Sequence, residues 1–392
     1  MLSQIFAITG VNLKSIPERW GPSLVIVIGL AGVVAVFTAL LAMATGFSST
    51  LAATGSKDIA LILRGGSAAE LNSGLSRDEV NLIKLGPGIR KGEDGRPLAS
   101  GEVIVIAELF KKGETVNGSN LTVRGVEPQA FVLRPKLKVV EGRMFKPGLR
   151  ELVVGRGVTK QFAGVEVGKN LRMRGSEWTV VGIFESGDAH ESELWADAEV
   201  AQSSFGRNGY SSVLAGLDNE KTVKTLGAAL KADPRVNVDV VSQQQYFSAQ
   251  TEQFRNTIGA LAGVVTIIMA LGAIFAALNT MYAAVATRAK ETATLRALGF
   301  GALPVLVSVM IEAMVLSLLG GLVGAIIAYL LFNNLSVSTL GANFTQVVFA
   351  FKVTPALVGM GLAIAVVVGF IGGLLPSIRA ARMPVTTALR AA

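Results

Sequence analysis

The chain has 392 residues, of which 51% are hydrophobic and only 16% charged, with a mean hydropathy of +0.53. A soluble domain carries about 25% charged residues, so much of this chain is built to face lipid. It contains no cysteine, which excludes disulfides and thiolate chemistry. The net charge of +8 is not a nucleic-acid footprint. Residues 46–255 hold 27 Lys+Arg against 25 Asp+Glu, and the remaining excess lies beside apolar runs, where basic residues set membrane orientation.

Residues 1–23 read as a short cytoplasmic segment. Residues 24–45 are uncharged and apolar, and a span needs about 20 such residues. Ala42, Met43 and Ala44 resemble a signal-peptide cleavage site, but the run before them exceeds the usual apolar region of about 7–15 residues, so a retained anchor is expected. Residues 46–256 read as a mixed α+β domain. Val/Ile-rich runs bounded by turn residues predict strands over 102–107, 121–126, 137–140, 151–154 and 178–184. Val223, Leu226 and Leu230 share one helical face within 220–232, and Pro234 follows the end. Residues 86–101, rich in glycine, proline and charge, read as a mobile loop. The polar run 243–256 reads as a stalk helix continuing without a breaker into a second span, 257–287. A basic segment, 288–302, follows. Span three covers 303–332, an extracytoplasmic loop 333–354, span four 355–376, and a cytoplasmic tail 377–392. The expected fold is a membrane protein with four transmembrane α-helices, one before and three after a large extracytoplasmic α+β domain.

Basic residues orient these spans. Lys14, Arg19, Arg288, Lys290, Arg296, Arg379, Arg382 and Arg390 flank one side, and only Lys352 lies in the loop on the other. Both termini and the 288–302 segment are therefore expected in the cytoplasm, and the large domain outside. Spans three and four do not mirror spans one and two, which argues against an inverted-repeat transporter.

Several chemistries are missing. The nearest approach to a phosphate-binding loop, Gly164 to Asn170, is one residue short and has Asn170 where the Mg²⁺-binding hydroxyl should stand. Any ATP hydrolysis is thus expected from a partner. The only histidine, His190, sits among Glu185, Asp188, Glu191 and Glu193. One histidine and no cysteine support neither zinc nor a nucleophilic triad, so this run reads as a solvated acidic loop. Glu312 is the only ionisable residue inside a span. A lone carboxylate makes a poor proton relay, so it is expected to anchor span three against its neighbours. Small residues recur four apart at Gly259/Gly263, Gly320/Gly324 and Gly369/Gly373. That spacing lets helices approach closely, either within the chain or across a dimer seam.

The segment Arg288–Gly299 can form a short helix with Leu295 and Leu298 at i, i+3 and Gly299 as terminator. By physics alone it reads as a cytoplasmic turn with topogenic charges. Its Arg288, Glu291, Thr292, Leu295, Arg296, Ala297, Leu298 and Gly299 match an R-x-x-E-I-G-x-x-R-A-L-G pattern, except that Thr292 and Ala293 replace Ile-Gly. Glu312 precedes Gly320, Gly321 and Gly324. Pro376, Arg379, Ala380, Ala381, Arg382, Pro384, Ala388, Leu389 and Arg390 follow a P-x-x-R-A-A-R-x-x-P-x-x-A-L-R pattern. In these features the chain resembles the MacB/FtsX-type permeases of ABC transporters, which include LolC/LolE and DevC-like proteins.

The resemblance implies a bacterial inner-membrane permease subunit that mechanically couples cytoplasmic ATP hydrolysis to an outer domain. ATP and Mg²⁺ would be bound by a separate ATPase subunit, with no cofactor on this chain. Segment 288–302 would be the coupling helix, with Glu291 and Arg296 in polar contact and Leu295 and Leu298 filling a groove on the ATPase. Arg379, Arg382 and Arg390 would lie at the same face, where lipid headgroups are equally good partners. Other expected partners are a second permease copy or paralogue and a periplasmic adaptor. The expected cargo is an amphiphile: a lipid, a lipoprotein or a drug. The alternative is an FtsX-like regulator of a periplasmic or cell-wall partner that transports nothing. A membrane-tethered enzyme would need a catalytic constellation that the sequence does not offer.

Overall fold

The computed structural model describes residues 2–15, 17, 20–116, 118–341 and 345–384. Arg19 and Arg390 lie outside the described residues. The chain divides into a helical unit, residues 1–45, 255–335 and 351–392, and a sheet unit, residues 46–254 and 336–350.

The helical unit begins with α1 (Leu2–Lys14), which lies within the segment 1–23 that precedes the first span. Ile5, Ile8, Thr9 and Asn12 fall at helical spacing. Ile8 and Thr9 are buried, and the Asn12 side chain donates to Ser308 Oγ at 2.6 Å. Helix α2 (Trp20–Thr54) extends the first span well past residue 45. Its overrun Gly46–Thr54 is apolar or hydroxylated, and Thr45, Ser49 and Thr54 fold their hydroxyls back onto helix carbonyls, while the buried Ser48 hydroxyl makes no hydrogen bond. Helix α8 (Gln243–Thr287) runs 45 residues without interruption, about 68 Å at 1.5 Å per residue. Then come α9 (Ala289–Ala297), α10 (Ala302–Phe332) and α11 (Pro355–Arg382). Among the described residues, four helices, α2, α8, α10 and α11, are long and apolar enough to cross a membrane.

Helix α11 continues beyond the expected end of span four, through Pro376 to Arg382. A proline inside a helix removes one backbone bond, here to the carbonyl of Gly372. Tight packing tolerates the loss: Pro376 is buried, and a Cβ on Gly372 would lie 2.9 Å from Ala277.

The glycine pairs divide in role. A Cβ on Gly320 would come within 2.8 Å of the Val27 carbonyl oxygen, and one on Gly324 within 2.4 Å of that of Ala31, so α10 packs backbone-to-backbone on α2. Gly369 and Gly373 sit against Ser317 and Ala313 of α10. Gly259 and Gly263 meet nothing within 4 Å, so they do not pack within the chain. Helix α8 is also the least covered span, with 22% of its most apolar stretch buried against 39–44% for the other three.

The sheet unit carries β1 (Ile59–Arg64), α3 (Arg77–Lys84), β2 (Ala99–Leu109), β3 (Ser119–Val126), α4 (Gln129–Leu133), β4 (Lys138–Gly142), β5 (Glu151–Gly155), α5 (Arg156–Gln161), β6 (Asn170–Met173), β7 (Ser176–Glu185), β8 (Glu193–Asp197), α6 (Ala198–Phe205), β9 (Ser212–Gly216), α7 (Thr222–Ala232) and β10 (Val238–Ser242). These strands form one mixed sheet in the order β10-β1-β9-β2-β3-β8-β5-β7-β4, with β6 also on β7. Strand pairs β3/β8 and β5/β7 run parallel. Alternation along β1 sends Ala60 and Ile62 to one core and Ile59, Leu61 and Leu63 to another on the opposite face. The rim strand β4 is mostly exposed and carries a register shift between Val139 and Glu141.

Residues 86–101 are not a free loop. Lys91 bridges Pro97, Ile89 bridges Leu217, Arg90 pairs with Asp58 at 3.2 Å, and residues 99–101 already belong to β2. The loop between spans three and four is a hairpin, β11 (Ser336–Leu340) and β12 (Gln346–Ala350). The apolar run of Val347, Val348 and Phe349 is legible in the sequence, but so short a run does not separate a strand from a loop by pattern.

Contact across α2 and α10 yields a direct test. Gly324→Ala is expected to cost about 1–3 kcal/mol, since its Cβ meets backbone that cannot turn aside. Gly259→Ala should stay within about 0.5 kcal/mol. Thermal unfolding in detergent checks both, and an equal effect at the two sites would count against this packing.

Candidate functional site

The expected coupling segment is a nine-residue helix, α9, joined to α8 through Arg288 alone. Its end is closed by a glycine in the left-handed region, Gly299 at φ +97°. The Gly299 N–H donates to the Arg296 carbonyl and the Phe300 N–H to that of Leu295, at 3.1 and 3.2 Å. This double closure satisfies carbonyls a helix end leaves bare, and it brings Phe300 beside Leu295. Both side chains pack on the core of the helical unit.

That geometry corrects the expected contacts. Leu295 is turned inward, so it does not present itself to a partner, whereas Leu298 is 74% exposed. Arg296 is also turned in, and its Nη1 donates to the Met383 carbonyl at 2.5 Å. The exposed ridge of α9 consists of Lys290, Glu291, Thr294, Ala297 and Leu298. Thr292 is half-buried. Near the end of α11, Arg379 lies over the Tyr282 ring, 5.4 Å from its centre, and Arg382 and Pro384 are exposed.

Glu312 is not the partnerless carboxylate that the sequence suggests. Arg288 Nη1 donates to it at 3.0 Å, and both side chains are nearly buried, 11% and 7% exposed. The same guanidinium donates to the Asn12 carbonyl at 3.4 Å and to Ser15 Oγ. One arginine thereby ties the α8–α9 joint to α1 and α10. Burying two charges is costly, and only close geometry with further hydrogen bonds repays it. Beside this knot lies a cavity of about 360 Å³, lined by Ile8, Met281, Leu295, Val309, Arg288 and Glu291 among others.

A second buried charge cluster, in the sheet unit, escaped sequence reading. Arg124 on β3 donates to Glu102 on β2 at 2.7 Å, to both oxygens of Glu193 on β8 at 2.7 and 2.8 Å, and to Glu70 at 3.0 and 3.1 Å. Arg134 holds Glu102 from the other side at 2.6 and 2.8 Å and stacks over Trp195. Burial alone would push the Glu102 carboxyl up, but the charges of Arg134 and Arg124 bring it down to about 2. No sequence spacing joins residues 70, 102, 124, 134 and 193; sheet register aligns Glu102, Arg124 and Glu193, and tertiary packing brings in Glu70 and Arg134. His190 also departs from expectation. It is 3% exposed, in a short turn at Ala189–Ser192, with Nδ1 3.0 Å from Asp188. Burial raises the Asp188 carboxyl, and the adjacent imidazole more than offsets this, to about 2. This acidic run is folded rather than solvated because Trp195 and Asp188 enclose the ring.

Among the described residues, four membrane-length helices, one ahead of a large α+β domain and three behind it, give the layout of a membrane protein built around one large folded insertion. Residues 23–233 match the MacB-like periplasmic core domain, and residues 263–385 the FtsX-like permease C-terminal domain. The chain belongs to the MacB/FtsX-like family of ABC transporter permeases. It is 22% identical to the ABC transporter permease YvrN of Bacillus subtilis, over 97% of this chain and 96% of that one. It is 31% identical to the macrolide export ATP-binding/permease protein MacB 2 of Yersinia pestis, over 37% of this chain and 22% of that protein. The crystal structure of the extracellular domain of the ABC-type transporter YknZ from Gram-positive bacteria is similar at 17% identity and a TM-score of 0.37, over 47% of this chain and 100% of that one.

Glu312→Ala removes the counter-charge of a buried arginine and is expected to cost about 3–5 kcal/mol, while R288M/E312M together recover most of that loss. Unfolding of the purified protein would show it, and additive single effects would refute the pairing. In the sheet unit, Glu102 has a folded value of about 2 against an ordinary 4.5. Its stabilisation is complete above pH 4.5 and lost as pH falls towards 2. Tryptophan-detected melting should therefore decline steeply in that window, less so in E102Q. A flat parent profile would contradict the charge network.

Proposed function

We propose that this chain is the membrane half of an inner-membrane exporter or extractor, driven by a separate ATPase subunit that binds ATP and Mg²⁺. The observation that carries this reading is α8. One unbroken helix joins the α9 segment to β10, since Gln243 directly follows Ser242. Displacement at α9 can thus reach the sheet unit along a rod without a hinge. The eight-to-one basic asymmetry supports a cytoplasmic α9 and a periplasmic sheet unit.

The exposed ridge Lys290, Glu291, Thr294 and Leu298 is the surface offered to the ATPase, and Leu298 is its apolar anchor. Arg288 and Glu312 hold α9 in register behind it. Arg379 and Arg382 serve the same face or the anionic headgroups around it. Gly259 and Gly263, on the sparsely covered α8, suit close approach of a second permease copy or paralogue. Among the described residues only Glu312 puts a carboxylate within α10, so a hydrophilic cargo has little polar path through this chain. An amphiphile engaged at the outer leaflet or in the periplasm fits better.

Leu298→Asp is expected to weaken co-purification of the ATPase at least about tenfold, the value of one lost apolar anchor. Membrane insertion should be unchanged. Leu295→Asp should instead lower thermal stability. Full ATPase retention by L298D, or placement of Lys290 on the outer side by labelling, would overturn the assignment.

A further inference from the structure

The chain passes between its two units four times, after residues 45, 254, 335 and 350. Three of these passages lie within two residues of a phenylalanine: Phe47 on α2, Phe254 on α8 and Phe349 on β12. Their rings are mutually packed. Phe47 and Phe254 have centroids 4.0 Å apart and tilted by 32°, Phe47 and Phe349 meet edge-on at 5.4 Å, and Phe254 and Phe349 edge-on at 6.5 Å. Phe47 and Phe349 are each 3% exposed.

Hydrogen bonds tie the same place to the rest of the sheet unit. Val348 N–H donates to Ser192 Oγ at 2.8 Å, and Thr122 Oγ1 donates to Thr345 Oγ1 at 2.8 Å. Ala189 N–H donates to Thr54 Oγ1 at 3.0 Å. The turn at Ala189–Ser192 therefore grips both the end of α2 and the hairpin. It cannot yield towards α5, because a Cβ on Gly155 would lie 2.3 Å from the Glu191 carbonyl oxygen. On the stalk, Tyr246 Oη accepts the Glu70 N–H at 3.3 Å, which leads directly into the Arg124 charge cluster.

We infer that Phe47, Phe254 and Phe349 are positioning residues that clasp the outer ends of α2, α8 and the α10–α11 hairpin into one mechanical element. The inference rests on the permease reading above. A displacement arriving along α8 is then shared with the end of α2 and with the hairpin, and the stalk does not move alone. Aromatic rings suit this task, since offset and edge-on pairs have preferred geometries and contribute more than their buried area alone.

The absence of cysteine makes the chain its own labelling background. Spin labels at T287C with L375C report motion within the helical unit, and E177C with L375C report motion of the sheet unit against it. The full-length chain, co-purified with its ATPase in nanodiscs, is compared without nucleotide and with MgATP plus vanadate. Both distances are expected to change in the parent. In F254A and in the gentler F47L, the inner change persists and the outer one is lost, while F254Y retains both. An undiminished outer change in both F254A and F47L overturns the clasp while the permease reading stands. No change at either pair in the parent overturns the permease reading, and the clasp with it.

Discussion

Hydrocarbon offers a peptide group no hydrogen-bond partner, and this single constraint shapes most of the molecule. Each crossing has to be an unbroken helix, because each bare amide or carbonyl would cost several kcal/mol. In α8 the constraint is met to excess. The helix that satisfies its backbone in lipid keeps its ladder through the polar residues 243–256 and ends only at the sheet. A structure required for insertion thereby also becomes a stiff connection. Pro376 shows the limit of the rule, since one lost bond is accepted where Gly372 lets neighbouring backbone close in.

Two groups of buried arginine–carboxylate contacts among the described residues serve different ends. At the α8–α9 joint, Arg288 and Glu312 form a single pair with the Asn12 carbonyl and Ser15 as further acceptors. Such a pair fixes geometry more than it adds stability, as a well-packed apolar substitute would be at least as stable. In the sheet unit, Arg124 on β3 meets Glu102 on β2 and Glu193 on β8, while Glu70 and Arg134 reach the cluster from outside the strands. There the fork of the Arg124 guanidinium ties three neighbouring strands in register, since a slip by one residue would reverse the side on which it points.

The spans were legible because about 20 uncharged residues have few other interpretations. The strongest Val/Ile runs also declared themselves: the expected strands 102–107, 121–126 and 178–184 lie within β2, β3 and β7. Short strands such as β8 and β9 did not, being five residues long and buried on both faces, where alternation vanishes. At the joint, the residues of the α9 segment could be picked out by motif, but not their directions. Leu295 and Leu298 are equivalent in spacing, yet only the closure at Gly299 decides which points inward. The partner of Glu312 lay 24 residues away, across a turn whose path no local pattern fixes. The charge cluster and the three phenylalanines are products of register and chain crossing, which are tertiary facts.

The bulged, solvent-facing β4 has one more consequence. An open sheet ends in strands with unused amides, and such rims recruit foreign strands. Here the rim is five residues long, carries Lys138 and Glu141, and is kinked where Val139 and Glu141 break step with β7. An incoming extended segment would find neither a straight ladder nor an uncharged flank. Neighbours crowded into the same compartment are thus kept from adding themselves to this edge by intermolecular strand pairing.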